Sequence, residues 1–249
     1  MARTIVSDEH RKMYVKDGFF LLHSAVPEQQ LEMLRMECAT LIKEQDDEMD
    51  RLKTDVLNLS RRNSRYFVFL AYKTRPQLGK FIFSELMAEI CRSTIGDTAY
   101  LFWEQFVVKG TDKKGAEFGW HQDSGYVDHP HKPYVNAWIA LDDMSTENGT
   151  VSLLSYDRAG THVKVQHKPD PKSGDRIGYF GSDPGVPAVM KAGSIAVFSS
   201  VCFHRSGANA TLRMRRAYAV QFSPEIVYEA DGSLKGLDEL FLKDGKKVR

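Results

Sequence analysis

Within the segment GWHQDSGY, His121 and Asp123 stand two residues apart. On a strand, or on the extended end of one, side chains at i and i+2 point the same way, so an imidazole nitrogen and a carboxylate oxygen can reach one cation. A third ligand has to come from elsewhere in the chain, and FHRSG offers His204 at the end of an apolar run. Two histidines and one carboxylate on one face of a metal leave the opposite positions open, which suits non-heme iron(II) that must bind both a cosubstrate and oxygen. The same donors also serve catalytic zinc in a hydrolase or lyase. His129 and His131, in the turn-like DHPHKP, compete as ligands. His162 and His167 fall in a long polar stretch, and His10 and His23 near the N-terminus read as surface or packing residues.

The elements that must position these groups change character along the chain. Ser7 is placed to cap a helix over residues 8–17 that Gly18 ends. Residues 19–26 (FFLLHSAV) are short, apolar and strand-like. Pro27 suits the first turn of a helix carrying Leu31, Leu34, Met36, Cys38, Leu41 and Ile42 at roughly helical spacing. The charge-rich QDDEMDRLK after it is expected to fray or loop, and residues 84–95 form a further helix stopped at Gly96. From residue 98 the period becomes that of strands, expected at 99–109, 134–142, 150–155, 194–203 and 214–222, with shorter ones near 118–122 and 186–190. Between Tyr156 and Gly185 a Pro-, Gly- and Lys-rich segment reads as a long binding loop or lid. Its cations Arg158, Lys164, Lys168, Lys172 and Arg176 raise the question of an anionic substrate, although a solvated loop is the better account of them; Lys109 raises the same question. Helices first and strands after predict a mainly β protein, a barrel or sandwich with helices packed outside it, in a single domain over residues 1–249.

Composition narrows the function classes. The 249 residues are 42% hydrophobic and 27% charged, enough for a real core in one domain. With 34 basic against 33 acidic side chains the net charge is +1, which gives no electrostatic reason to expect nucleic acid or an anionic membrane as partner. No apolar run approaches the roughly 20 residues that span a bilayer, and the first residues are too polar for a secretory signal. Three scattered cysteines, Cys38, Cys91 and Cys202, suit buried thiols in a reducing cytoplasm.

Four blocks carry a resemblance: WHQDSGYV (120–127), WIALDDMSTENGTV (138–151), KAGSIAVFSS (191–200) and HRSGANATLRMRRAYAVQ (204–221). In order and spacing the chain, from about Phe19 to Phe222, resembles the phytanoyl-CoA dioxygenase family of iron(II)- and 2-oxoglutarate-dependent oxygenases. The resemblance implies a double-stranded β-helix, a jelly-roll, cupin-like barrel braced by N-terminal helices. It implies iron(II), 2-oxoglutarate and O2 as cofactors, with His121, Asp123 and His204 as the iron ligands. Arg215, eleven residues after His204, matches the family's 2-oxoglutarate anchor, Ser206 a second contact to the same carboxylate, and Trp138 a wall of the cosubstrate pocket. Gln105 falls where the family has another cosubstrate contact. Arg213 and Arg216 are close enough that a register shift of one would exchange their roles with Arg215.

The residues fit these roles. A planar guanidinium grips a carboxylate through two parallel hydrogen bonds, which lysine cannot do. On strand 214–222, Arg215 shares its face with Ala217, Ala219 and Gln221, which leaves room for a ligand; Tyr218, Val220 and Phe222 face packing. On strand 134–142, Trp138 shares a face with Asn136 and Ala140, opposite Val135, Ile139 and Leu141. Halogenating relatives lack the carboxylate that Asp123 supplies, so its presence implies hydroxylation, with desaturation or ring formation as variants. The expected substrate is a small metabolite or natural-product intermediate, handled by a monomer or homodimer. A ligand-binding relative without catalysis would need neither the triad nor Arg215.

Overall fold

The computed structural model describes residues 4–112, 117–171 and 175–248. Four helices come early: α1 (Asp8–Asp17), α2 (Glu28–Leu52), α3 (Pro76–Ile82) and α4 (Glu85–Thr94). The strands that matter here are β1 (Phe19–Leu22), β2 (Arg65–Phe69), β3 (Ala99–Lys109), β4 (Phe118–His121), β5 (Val135–Ala140), β6 (Val151–Leu154), β7 (Val186–Pro187), β8 (Ile195–Ser199), β9 (Phe203–Ser206), β10 (Arg215–Ser223) and β11 (Glu239–Lys243). All of their pairings are antiparallel. The major sheet runs β1-β8-β5-β10-β3-β2, with β11 on the start of β3, and the minor sheet runs β7-β6-β9-β4.

Local rules explain most of the boundaries. Ser7 caps α1 by accepting from the His10 N–H while His10 Nδ1 receives the Ser7 N–H, and Gly18 closes the helix at φ 86°, a left-handed conformation that costs glycine little. Ser84 caps α4. One expectation fails: residues 45–53 do not fray, because α2 continues unbroken to Leu52. Met49 is fully buried on its inner face, and Arg62 gathers the carboxylates of Asp46, Asp50 and Asp55, so burial and tertiary ion pairs hold a segment whose composition looks like a loop. The strand β2 and helix α3 lie where no regular element was expected. Strand 194–203 divides into β8 and β9, which belong to different sheets, and strands 134–142 and 150–155 are shorter than their sequence patterns.

Each long strand of the major sheet sorts its side chains in two. Tyr218, Val220 and Phe222, with Ile139, Val197 and Phe106, pack under α2, α3 and α4 in the main core, beside Leu34, Phe81 and Met87. The opposite faces give Trp138, Ala140, Ala196, Phe198, Ala217 and Ala219, which meet Val151 and Leu153 of the minor sheet. Two facing antiparallel sheets with helices on the outer side of one form the jelly-roll architecture. Alanines on the inner face of β10 leave space between the sheets next to Trp138, and that space becomes the site. Among the described residues no helix is long and apolar enough to cross a membrane.

Candidate metal centre and its cavity

His121 ends β4, and His204 lies opposite it in register on β9. Gln122 stays extended (φ −109°, ψ 137°), so the backbone carries Asp123 back to the side on which His121 points, although Asp123 itself already begins a 3-10 turn. Asp123 Oδ1 lies 3.8 Å from His121 Nε2 and 3.5 Å from His204 Nε2, and the two imidazole centroids are 4.1 Å apart. These three are the cluster of potential metal ligands that the described residues contain, with ligand atoms within 4.8 Å of one another. His129 and His131 stand apart from it: His131 bonds the Ser124 hydroxyl at 3.0 Å.

Each ligand is oriented by its surroundings. His121 Nδ1 faces the Gly119 carbonyl at 2.8 Å and His204 Nδ1 the Cys202 carbonyl at 3.2 Å. Carbonyls only accept, so both Nδ1 atoms carry the proton and both Nε2 lone pairs point at the shared space, as metal binding requires. Burial, with His204 beside it, pushes His121 down to about 4, which keeps that ring neutral. Gln221 Nε2 donates to Asp123 Oδ2 at 3.2 Å and leaves Oδ1 for the centre. The donor set and its tautomers therefore fit a divalent transition metal.

The cavity beside the cluster, of ≈ 100 Å³, is lined by Gln105, Val107, Trp138, Phe198, Ser206 and Arg215, with Phe67 and Phe118 also in its wall. Arg215 is 1% exposed. Its guanidinium donates to the carbonyls of Val107 (3.1 Å) and Gly149 (3.2 Å), lies 5.4 Å from the Trp138 ring centroid, and leaves Nε without a partner. Lys109, in register with Arg215 across β3 and β10, is equally buried and donates to Ser206 Oγ at 2.8 Å and to the Gly207 carbonyl. Burial, with Arg215 next, pushes Lys109 down to about 6, and burial lowers Arg215 to about 9. No carboxylate among the described residues forms an ion pair with either group. Burial beside Arg215 therefore favours the neutral amine at Lys109 until an anion joins the pair.

The neighbouring arginines resolve the register. Arg216 faces outward and is held in a two-point pair by Asp142 (3.0 and 2.6 Å), and Arg213 is exposed. Ser206 and Trp138 stand in the cavity as expected, and Gln105 lines it while accepting from Trp103 Nε1 at 3.4 Å. The strand pattern placed Gln221 on the face of Arg215 without giving it a role, and raised Lys109 only as a candidate contact for an anionic substrate. The segment 156–185 is fastened rather than free. Gln122 takes the Val165 N–H on its side-chain oxygen and donates to the Val163 and Val201 carbonyls, while the Gln122 N–H donates to His167 Nε2. Of its cations, Arg158 pairs with Asp183, Arg176 with Asp128, and Lys164 donates to the Val127 carbonyl; Lys168 lies 5.8 Å from the Phe180 ring, and Lys172 is outside the described residues.

Comparison with known proteins places this geometry among relatives. A sequence profile of the phytanoyl-CoA dioxygenase (PhyH) family matches residues 14–217. The peroxisomal phytanoyl-CoA dioxygenase of Mus musculus is 23% identical over 235 residues, covering 88% of this chain and 68% of the relative. Among solved structures, the epimerase SnoN in complex with Fe3+, alpha ketoglutarate and nogalamycin RO superposes with a TM-score of 0.70 at 16% identity, over 97% of this chain and 95% of the other. The non-heme alpha ketoglutarate dependent carbocyclase SnoK from nogalamycin biosynthesis gives 0.70 at 17% identity, over 94% and 92%.

Proposed function

Because the chain belongs to the phytanoyl-CoA dioxygenase family, and is accordingly a non-heme iron(II)- and 2-oxoglutarate-dependent oxygenase, we propose that it oxidises a C–H bond of a small organic molecule at the His121–Asp123–His204 centre. Hydroxylation is the outcome the intact carboxylate favours; desaturation or cyclisation are variants of the same step. The observation that carries this reading is the pairing of a converging His-Asp-His triad with a buried, uncompensated Arg215 in one cavity.

In this reading His121 Nε2, His204 Nε2 and Asp123 Oδ1 hold ferrous iron. When bound, iron with 2-oxoglutarate and O2 supplies the oxidative chemistry, in which the cosubstrate loses CO2 to become succinate. Arg215 holds the distal carboxylate of 2-oxoglutarate, with the Ser206 hydroxyl and Lys109 beside it. Trp138 and Gln105 form the walls that fix its orientation. Gln221 keeps Asp123 Oδ2 occupied, so the carboxylate offers a single oxygen and the remaining positions stay open. Phe198, 4.7 Å from the His204 ring, helps keep water away from the centre. A zinc hydrolase would use the same triad but has no need of the arginine–lysine pair. A monomer or homodimer in the cytoplasm, acting without nucleic acid, completes the proposal; the three free, buried cysteines support that compartment.

The direct test is anaerobic addition of ferrous iron and 2-oxoglutarate. A weak visible absorption band is expected for the wild type and absent in His204→Ala. No band in a folded, iron-loaded wild type would overturn the proposal.

Lys109 makes a second expectation. Its folded pKa lies below its unfolded value, so near pH 7.5 it is mostly neutral while the site is empty, and its contribution to stability rises with pH between about 6 and 10. A carboxylate arriving beside it favours the ammonium. Binding of 2-oxoglutarate at pH 7.5 should therefore take up protons, seen as a dependence of calorimetric heat on buffer ionisation enthalpy, and Lys109→Met should remove that dependence. Equal heats in all buffers for the wild type would contradict the assignment.

A further inference from the structure

The two buried cations continue into a row. Arg65 on β2 is in register with Lys109 on β3, which is in register with Arg215 on β10, so three cationic residues lie side by side across three adjacent strands. No carboxylate among the described residues lies within ion-pairing distance of Arg65, Lys109 or Arg215; Glu117 reaches Lys109, and Asp175 reaches Arg65, only as weaker fields. Strands are spaced about 4.8 Å apart, which puts the backbones at Arg65 and Arg215 about 10 Å from each other, and the two guanidinium groups keep different company: Arg215 faces Val107, Gly149 and Trp138, Arg65 faces Leu59, Phe67 and Phe118. Lys109 turns to Ser206 and Gly207 on the cosubstrate side. Arg65 is left over.

Its surroundings are aromatic. The guanidinium lies 5.7 Å from the Phe118 centroid and 6.0 Å from that of Phe67, two rings of the cavity wall, which meet edge to face at 5.5 Å. Phe69 stacks on Phe67 at 5.9 Å and meets Trp103 at 5.7 Å. Phe69, Trp103 and Phe118 are half-buried, so part of each ring remains open. Arg65 Nε donates to the Leu59 carbonyl at 3.0 Å, and its terminal nitrogens make no hydrogen bond among the described residues. The minor sheet ends at β4, so Phe118 is its edge contribution to this wall.

We propose that the aromatic cluster continuing from the cavity wall recognises an aromatic acid: the carboxylate pairs with Arg65, and the flat apolar body lies against Phe67, Phe69, Trp103 and Phe118, which presents a C–H bond to the triad. This deepens the oxygenase reading and rests on it. A guanidinium beside phenyl rings is partly shielded from water yet keeps its terminal donors, which favours a charge-assisted hydrogen bond. Offset stacking on half-open rings favours a planar body over a flexible chain.

The test uses enzyme loaded anaerobically with ferrous iron and 2-oxoglutarate, with 2-naphthoate, 2-naphthamide and decanoate as probes, followed by calorimetry and by the visible band. Naphthoate should bind at least about tenfold more tightly than naphthamide, the worth of one charged hydrogen bond, and more tightly than decanoate. Arg65→Gln should remove the preference for naphthoate over naphthamide, Arg65→Lys should restore part of it, and Phe69→Ala should weaken both aromatic probes. Equal binding of naphthoate and naphthamide, or of naphthoate and decanoate, overturns the proposal. So does an Arg65→Gln variant that loses 2-oxoglutarate affinity as strongly as naphthoate affinity, since Arg65 would then belong to the cosubstrate. The two readings fail separately: absence of the visible band sinks the oxygenase centre, whereas a normal band without naphthoate selectivity sinks only the aromatic-acid site.

Discussion

Replacing Asp123 by alanine should abolish succinate formation while leaving the fold intact. Asp123 Oδ1 is the atom that both Nε2 nitrogens approach, at 3.8 and 3.5 Å, and it is the single anionic group of the cluster. Its loss removes charge neutralisation and one of three protein ligands from a cation that two neutral imidazoles hold weakly. A charge interaction worth several kcal/mol corresponds to a fall of roughly three orders of magnitude in iron affinity or turnover, at about 1.4 kcal/mol per tenfold. Asp123 is partly exposed and its partner Gln221 can turn to water, so the melting temperature should move little. Iron titration followed by succinate assay checks this, with His162→Ala, on the exposed part of the loop, as a control that retains iron binding. Normal iron affinity and turnover in Asp123→Ala would remove Asp123 from the centre.

The second large effect belongs to Arg215. Arg215→Gln should weaken 2-oxoglutarate binding about 100-fold or more, because removing one partner of a buried charge pair costs roughly 2–5 kcal/mol. The apo protein should be as stable as wild type or more stable. In the empty site the guanidinium is buried with an unpartnered Nε and no carboxylate against it, so its removal relieves a local penalty. Binding and stability thus move in opposite directions, and thermal unfolding with and without 2-oxoglutarate reads both. A variant that lost stability in the empty state and kept its cosubstrate affinity would show Arg215 to be structural.

Much of the site was legible because it is written in local patterns. The HxD spacing needed one extended residue, Gln122, to bring two ligands together. The period of two along β10 and β5 separated Arg215 and Trp138 from the core side chains that lie under the helices. The resemblance supplied His204, Ser206 and Gln105 in their roles. The misreadings have physical causes. Residues 45–53 look like a loop by composition, but the burial of Met49 and the pairing of Asp46 and Asp50 with Arg62, which lies beyond the helix, hold a helix there. The loop cations, by contrast, behave as a solvated loop would have them: Asp183 and Asp128 neutralise two of them.

Sequence alone determined the donor types, the strand faces and the caps, since each depends on spacing within a few residues. Only the tertiary structure decided that His204 stands in register with His121, that Gln221 holds Asp123, and that Arg65, Lys109 and Arg215 form a row. Those relations join residues up to about a hundred positions or more apart through strand pairing. Pairing register is fixed by which faces bury together across the whole barrel, a property that no single segment contains.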